Sequence, residues 1–105
     1  MYNIADFIDV FYEDDRFALS VEWVNGDAPS MHVDFKEKYT VSTQKTFNKQ
    51  YNKLVKMLKQ HNIKLLFAYT LPVISNQRFV GKQLAKLGFK CIEVREEFVL
   101  YMKEV

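Results

Sequence analysis

The sequence predicts one mixed α/β domain over residues 1–105, in the order α-β-β-α-β-α-β-β, with a mostly antiparallel sheet and one parallel βαβ pair. Three observations carry this reading. Phe17, Leu19, Val21 and Trp23 alternate with Ala18, Ser20 and Glu22, and a second alternating run follows a turn signal. A long stretch with a 3.6-residue apolar period then leads into the nearly unbroken apolar run Ile63 to Tyr69. Finally, the chain is 49% hydrophobic and 15% aromatic with only three glycines and two prolines, which supplies a core and leaves little room for loops.

The first helix is expected from Asn3 to Phe11. Asn3 is a helix-capping residue type, and Ile4, Phe7, Ile8 and Phe11 fall at i, i+3, i+4 and i+7. Asp6 in the first turn suits the positive end of the dipole, and Glu13-Asp14-Asp15 ends the segment. The strands Arg16 to Val24 and Met31 to Lys36 flank Asn25-Gly26-Asp27-Ala28-Pro29, a turn composition, and should form an antiparallel hairpin.

The longest helix is expected from about Thr43 to Gln60, capped by Ser42 or Thr43 and closed by His61-Asn62. Phe47, Tyr51, Leu54, Val55 and Leu58 form its apolar stripe, and Lys45, Lys49, Lys53, Lys56 and Lys59 lie opposite. The run Ile63 to Tyr69 reads as a strand covered on both faces. A helix from about Asn76 to Leu87 presents Phe79, Val80, Gln83, Leu84 and Leu87 to the core, with Gly88 as its left-handed cap. Phe89 to Arg95 and Glu97 to Lys103 read as a closing hairpin.

The tail Ser75-Asn76-Gln77-Arg78 followed by Leu84-Ala85-Lys86-Leu87-Gly88-Phe89 resembles the C-terminal part of the GNAT N-acetyltransferase superfamily, with Lys64 to Thr70 as its fifth strand. The matching order of elements extends back to about Arg16, and the chain is similar in style to abbreviated phage-encoded members, some of them virion proteins. The resemblance implies acetyl-CoA as cofactor, with pantetheine between splayed strands ending near Phe35 and Tyr69. Backbone groups at Asp34 and Phe35 would hold the pantetheine. The turn containing Thr40, Ser42, Thr43 and Lys45 would hold the pyrophosphate, and Asn76 would contact the cofactor or order the helix start. Direct attack of an amine on the thioester would need a base, and Glu22, His32 and Asp34 are the candidates. A five-residue hairpin loop places Glu22 across from His32 and Ser20 across from Asp34.

Two departures weaken the catalytic part of the resemblance. The segment Tyr39 to Lys45 lacks the glycines that let backbone amides approach a pyrophosphate. Leu84 stands where the family often carries a tyrosine that protonates the leaving thiolate. Three readings therefore stand: an acetyl-CoA-dependent N-acetyltransferase, a non-catalytic binding protein on the same fold, or, as the weakest, a small nucleic-acid-binding module using the lysine rows. A gap filled by side chains such as Tyr39 or Tyr69 favours the second. Glu22, His32 and Asp34 also suit an ordinary solvated sheet face, and Thr40 to Lys45 an ordinary helix cap.

The remaining features exclude more than they assign. The net charge of +2 is small for a nucleic-acid coat, and no aromatics interleave with the lysines, so nucleic acid is not the expected partner. Arg78, Lys82 and Lys86 make a second row on the last helix, and the two rows would form a patch for nucleic acid or an acidic protein only if both lay on one side of the molecule. No Cys/His cluster has metal-ligand spacing, and the single Cys91 reads as a buried thiol. No apolar run is long enough for a membrane span. A cytoplasmic setting, host or virion, is expected, and the abundance of apolar residues allows a homodimer.

Overall fold

The structure is a computed structural model and describes residues 8–23, 29–36, 38–71 and 77–105; the side chains at 8, 9, 77 and 78 also lie outside the description. Six strands, β1 (Ile8–Glu13), β2 (Phe17–Trp23), β3 (Pro29–Phe35), β4 (Leu65–Thr70), β5 (Lys90–Val94) and β6 (Val99–Glu104), form one sheet in the order β1-β2-β3-β4-β6-β5. Helices α1 (Val41–Gln60) and α2 (Gln77–Lys86) connect β3 to β4 and β4 to β5. All strand pairs are antiparallel except β3 with β4. This is the mixed sheet with one parallel pair that the sequence predicts.

The first element differs. Of the helix expected over Asn3 to Phe11, residues 3–7 lie outside the described residues, and from Ile8 the chain is strand β1, paired to β2. A bulge between Val10 and Tyr12 explains the misleading spacing. The extra residue lets the consecutive Phe11 and Tyr12 both pack against the core, which breaks the period of two that marks a strand.

The turn from β1 to β2 is organised by Asp14. Its Oδ1 accepts the Arg16 and Phe17 amides at 2.7 and 3.2 Å, and its Oδ2 accepts the Tyr12 hydroxyl and the Arg16 guanidinium, each at 2.7 Å. The β2–β3 hairpin keeps the expected faces but not the expected partners. Ser20 pairs with His32, Glu22 with Ser30 and Ala18 with Asp34. The register thus differs by two residues from the expected Glu22–His32 and Ser20–Asp34 pairs. A shift of two leaves every side chain on its face, so alternation alone does not fix it.

Helix α1 starts two residues earlier than its composition suggests, at Val41 rather than Thr43. Thr40, rather than Ser42 or Thr43, is the N-cap: its hydroxyl accepts the Thr43 amide while the Thr43 hydroxyl accepts the Thr40 amide, a reciprocal capping box. At the other end Asn62 adopts a positive φ of 60° and closes the helix. Thr43, Phe47, Tyr51, Leu54 and Leu58 are its buried stripe. In α2, Val80, Gln83 and Leu84 are buried, and Gly88 at φ 93° ends it in the left-handed conformation that a side chain disfavours.

Both helices pack on the same face of the sheet. Phe47 of α1 meets Phe17 and Phe35, Gly81 of α2 lies against Tyr101 of β6, and Lys103 of β6 donates to the Tyr51 hydroxyl and to the Leu87 carbonyl closing α2. Phe17, Leu19, Val21, Met31, Val33, Leu66 and Ala68 fill the space beneath them. The opposite face carries Ser20, Glu22, His32, Phe67 and Tyr69 half-buried, with no helix of the described residues over it. Strand β4 is therefore buried on one face and half-buried on the other, rather than covered on both.

Cys91 is exposed on the edge strand β5, which overturns the expectation of a buried thiol. Among the described residues there is no His/Cys/Asp/Glu group suited to a metal, and no helix long and apolar enough to cross a membrane.

Candidate functional site

The two strands that would hold a cofactor are registered at Ser30↔Phe67 and Met31↔Ala68, after which β3 runs on to Phe35 and β4 to Thr70. The candidate site is this seam. Its two sides have different chemistry because alternate residues of a strand point to opposite faces.

On the open side, the His32 ring lies against that of Tyr69, with centroids 5.0 Å apart and planes 17° from parallel. Burial pushes the His32 pKa below its ordinary value, and the carboxylates of Asp34 and Glu22 and the Tyr69 backbone offset part of that shift. Its Nδ1 is buried and has no hydrogen-bond partner among the described residues. Tyr69 is held above its usual range by burial and by Glu22. The sheet thus gathers Glu22, His32 and Asp34 around one imidazole, although no cross-strand pair joins Glu22 to His32. Tyr69 belongs to this group although it is not among the bases the sequence suggests; its one sequence signal is a polar-tipped aromatic near the end of an apolar strand. Beside it, Glu22, Tyr69, Leu71, Glu97, Phe98 and Leu100 line an open cleft of about 490 Å³.

His32 gives a signed expectation for acid. Because its folded pKa is depressed, the unfolded chain binds the proton more tightly below about pH 6.5. Stability should hold above that pH and fall as the pH drops below it. Urea midpoints measured across this window should decline in the wild type and flatten in His32→Gln; an unchanged slope in the variant would reject the assignment.

On the helix side, rings crowd the end of β3. Tyr39, on the connection from β3 to α1, meets Phe79 of α2 at 4.6 Å and Phe35 of β3 at 5.2 Å, both edge-on. Phe79 also meets Phe35 at 5.7 Å, closing a three-ring cluster. The Tyr39 hydroxyl donates to Oε1 of Gln83, a buried residue, at a long 3.4 Å, and burial raises the Tyr39 pKa. Phe35 itself is 6% exposed.

The expected phosphate turn is also engaged internally. The hydroxyls of Thr40 and Thr43 serve the capping box and lie 3.1 Å apart, and Thr43 is buried. The Ser42 hydroxyl accepts from Arg16 at 2.8 Å. Lys45 is exposed on the outer face of α1, Asp34 is exposed beside His32 on the open face, and Asn76 lies outside the described residues.

No protein-family model matches the sequence, and no curated protein matches it. Solved structures do match the fold. A domain from Methanocaldococcus jannaschii DSM 2661 aligns with TM-score 0.67 at 22% identity, over 86% of this chain and 56% of that one. A GNAT-family acetyltransferase from Listeria monocytogenes 4b F2365 aligns with TM-score 0.52 at 14% identity, over 86% and 58%. A Staphylococcus aureus MU50 protein assigned as an acetyltransferase aligns with TM-score 0.57 at 17% identity, over 95% and 72%. The chain spans little more than half the length of the first two. At these identities the likeness is one of backbone, and the chain has a GNAT-like fold.

Proposed function

We propose that this chain is a non-catalytic binding protein built on the GNAT fold. The observation that supports the reading is the ring cluster of Phe35, Tyr39 and Phe79, packed at the end of β3 near which the resemblance would put pantetheine. The capping turn adds support, because hydroxyls committed to Thr40–Thr43 and to Arg16 are poor phosphate ligands unless the helix start rearranges. On this reading acetyl-CoA does not fit the residues present. Similarity to abbreviated phage-encoded proteins suggests the setting: a virion component, or an inhibitor of a host factor in the cytoplasm of an infected cell.

The second reading, an N-acetyltransferase, is favoured by one observation, the gathering of Glu22 and Asp34 around a half-buried His32. A neutral imidazole beside two carboxylates is the kind of group that can take a proton from an attacking amine.

Calorimetric titration with acetyl-CoA separates the two. The binding-protein reading expects no heat of binding at millimolar acetyl-CoA. Micromolar affinity that Ser42→Glu abolishes would replace it with the acetyltransferase reading. The charge is placed at Ser42 because Thr43 is buried and substituting it would disturb the helix start.

A further inference from the structure

The charges of this chain are segregated more sharply than its net charge suggests. Between Glu37 and Glu93 the sequence carries eleven of its fifteen basic residues and none of its thirteen acidic ones. Both helices fall inside this segment, and both pack on the same face of the sheet. Their outer surfaces therefore make one layer of positive charge, while Glu22 and Asp34 lie on the opposite face of the sheet.

Helix α1 sets the geometry. Lys45, Lys49, Lys53, Lys56 and Lys59 are all exposed. At about 100° and 1.5 Å per residue they fall within an arc of about 120° and span about 21 Å along the helix. Asn48 and Asn52 are exposed among them, so the outward surface is ammonium and amide groups. On α2, Lys82 and Lys86 extend the layer. Among the described residues none of these lysines is in an ion pair; the three pairs belong to Arg16, Lys36 and Arg95.

A layer of seven cations with no ion pair among the described residues repels itself, and a polyanion relieves that repulsion while releasing its own condensed counterions. Two observations choose among polyanions. The helices expose no aromatic ring on which unpaired bases would stack, which disfavours a single strand. Beyond Val41 in the first turn, α1 has no exposed large apolar side chain to insert into a bilayer. We propose that the outer face of α1 and α2 is a binding surface for the phosphate backbone of double-helical nucleic acid, through α1 lysines and amides with Lys82 and Lys86 at its margin. Lysine and asparagine contacts of this kind position a protein on the backbone without reading sequence. This surface is separate from the seam between β3 and β4 and stands whichever function that seam has.

The test is fluorescence anisotropy of the whole chain with a labelled duplex of about 20 base pairs at several salt concentrations. Five to seven phosphate contacts predict a weakening of roughly a thousandfold between about 50 and 200 mM salt. Duplexes of unrelated sequence should bind alike. The triple variant Lys49→Glu, Lys53→Glu, Lys56→Glu should weaken binding by more than about tenfold at low salt and flatten the salt dependence by roughly three contacts. Its thermal unfolding should match the wild type, because the three positions are exposed. If that variant unfolds, the single Lys53→Gln serves instead and should reduce the salt slope by about one contact. Absence of binding at low salt, wild-type affinity in the charge-reversed variant, or tighter binding to phosphatidylserine vesicles than to duplex at matched salt would each overturn the proposal.

Discussion

Phe47→Ala should cost about 3–5 kcal/mol, a large share of the stability of a domain this size. Phe47 is 2% exposed and stands where α1 meets the sheet, with ring centroids 5.8 Å from Phe17, 5.7 Å from Phe35 and 6.4 Å from Tyr51. The first two contacts are edge-on, the arrangement aromatic quadrupoles favour. Truncation therefore loses the transferred ring and leaves a cavity among neighbours whose own positions depend on it. Phe35 is also part of the ring cluster in the seam, so the loss should propagate toward Tyr39 and Phe79. Urea unfolding followed by circular dichroism reads the effect directly. A loss below about 1 kcal/mol would mean that α1 is not seated on the sheet through this residue.

The second large effect is expected at Asp14. Removing its carboxyl strands the two amides that it caps and releases both Tyr12 and Arg16. Asp14→Ala should cost about 1–3 kcal/mol, whereas Asp14→Asn keeps an acceptor for the amides and should cost less. The Arg16 guanidinium is the main cause holding the Asp14 carboxyl far below the usual carboxylate range. A depressed folded pKa contributes stability above the unfolded pKa of about 3.9 and loses it as the pH falls below that value. Acid unfolding of the wild type should therefore steepen below about pH 4, and both variants should lose part of that slope. This window lies below the one assigned to His32, so the two contributions are separable in one pH series.

The faces of the sheet were legible because burial imposes a period of two, and the stripe of α1 because burial imposes a period of 3.6. Partners across strands were not. The hairpin β2–β3 fits either register without exposing Phe17, Leu19 or Val21, and nothing local distinguishes them. Strand β1 was hidden by its bulge, which lets Phe11 and Tyr12 face the core in succession. The helix start at Thr40 was misplaced because three hydroxyl residues lie within four positions, and the cap is settled by where the chain leaves the sheet.

The candidate site was legible in part. Glu22, His32 and Asp34 do share a face, as alternation requires, but Tyr69 joins them only through the parallel pairing of β3 with β4. The ring cluster at the end of β3 brings together residues as far apart as Phe35 and Phe79, and its sequence trace was indirect: a turn without glycine beside two large rings. The basic layer had a plainer signal in the absence of any acidic residue between Glu37 and Glu93, and net charge concealed it.

The claim that aromatic side chains crowd the end of β3 is tested most directly by two-dimensional NMR of the ring protons, recorded with and without millimolar acetyl-CoA. Tyr39 and Phe79 should show ring-to-ring Overhauser contacts, each with Phe35, and these should persist unshifted when acetyl-CoA is added. Loss of those contacts with saturable shifts of the Tyr39, Phe79 and Phe35 resonances would contradict the account and show that the seam opens to admit the cofactor.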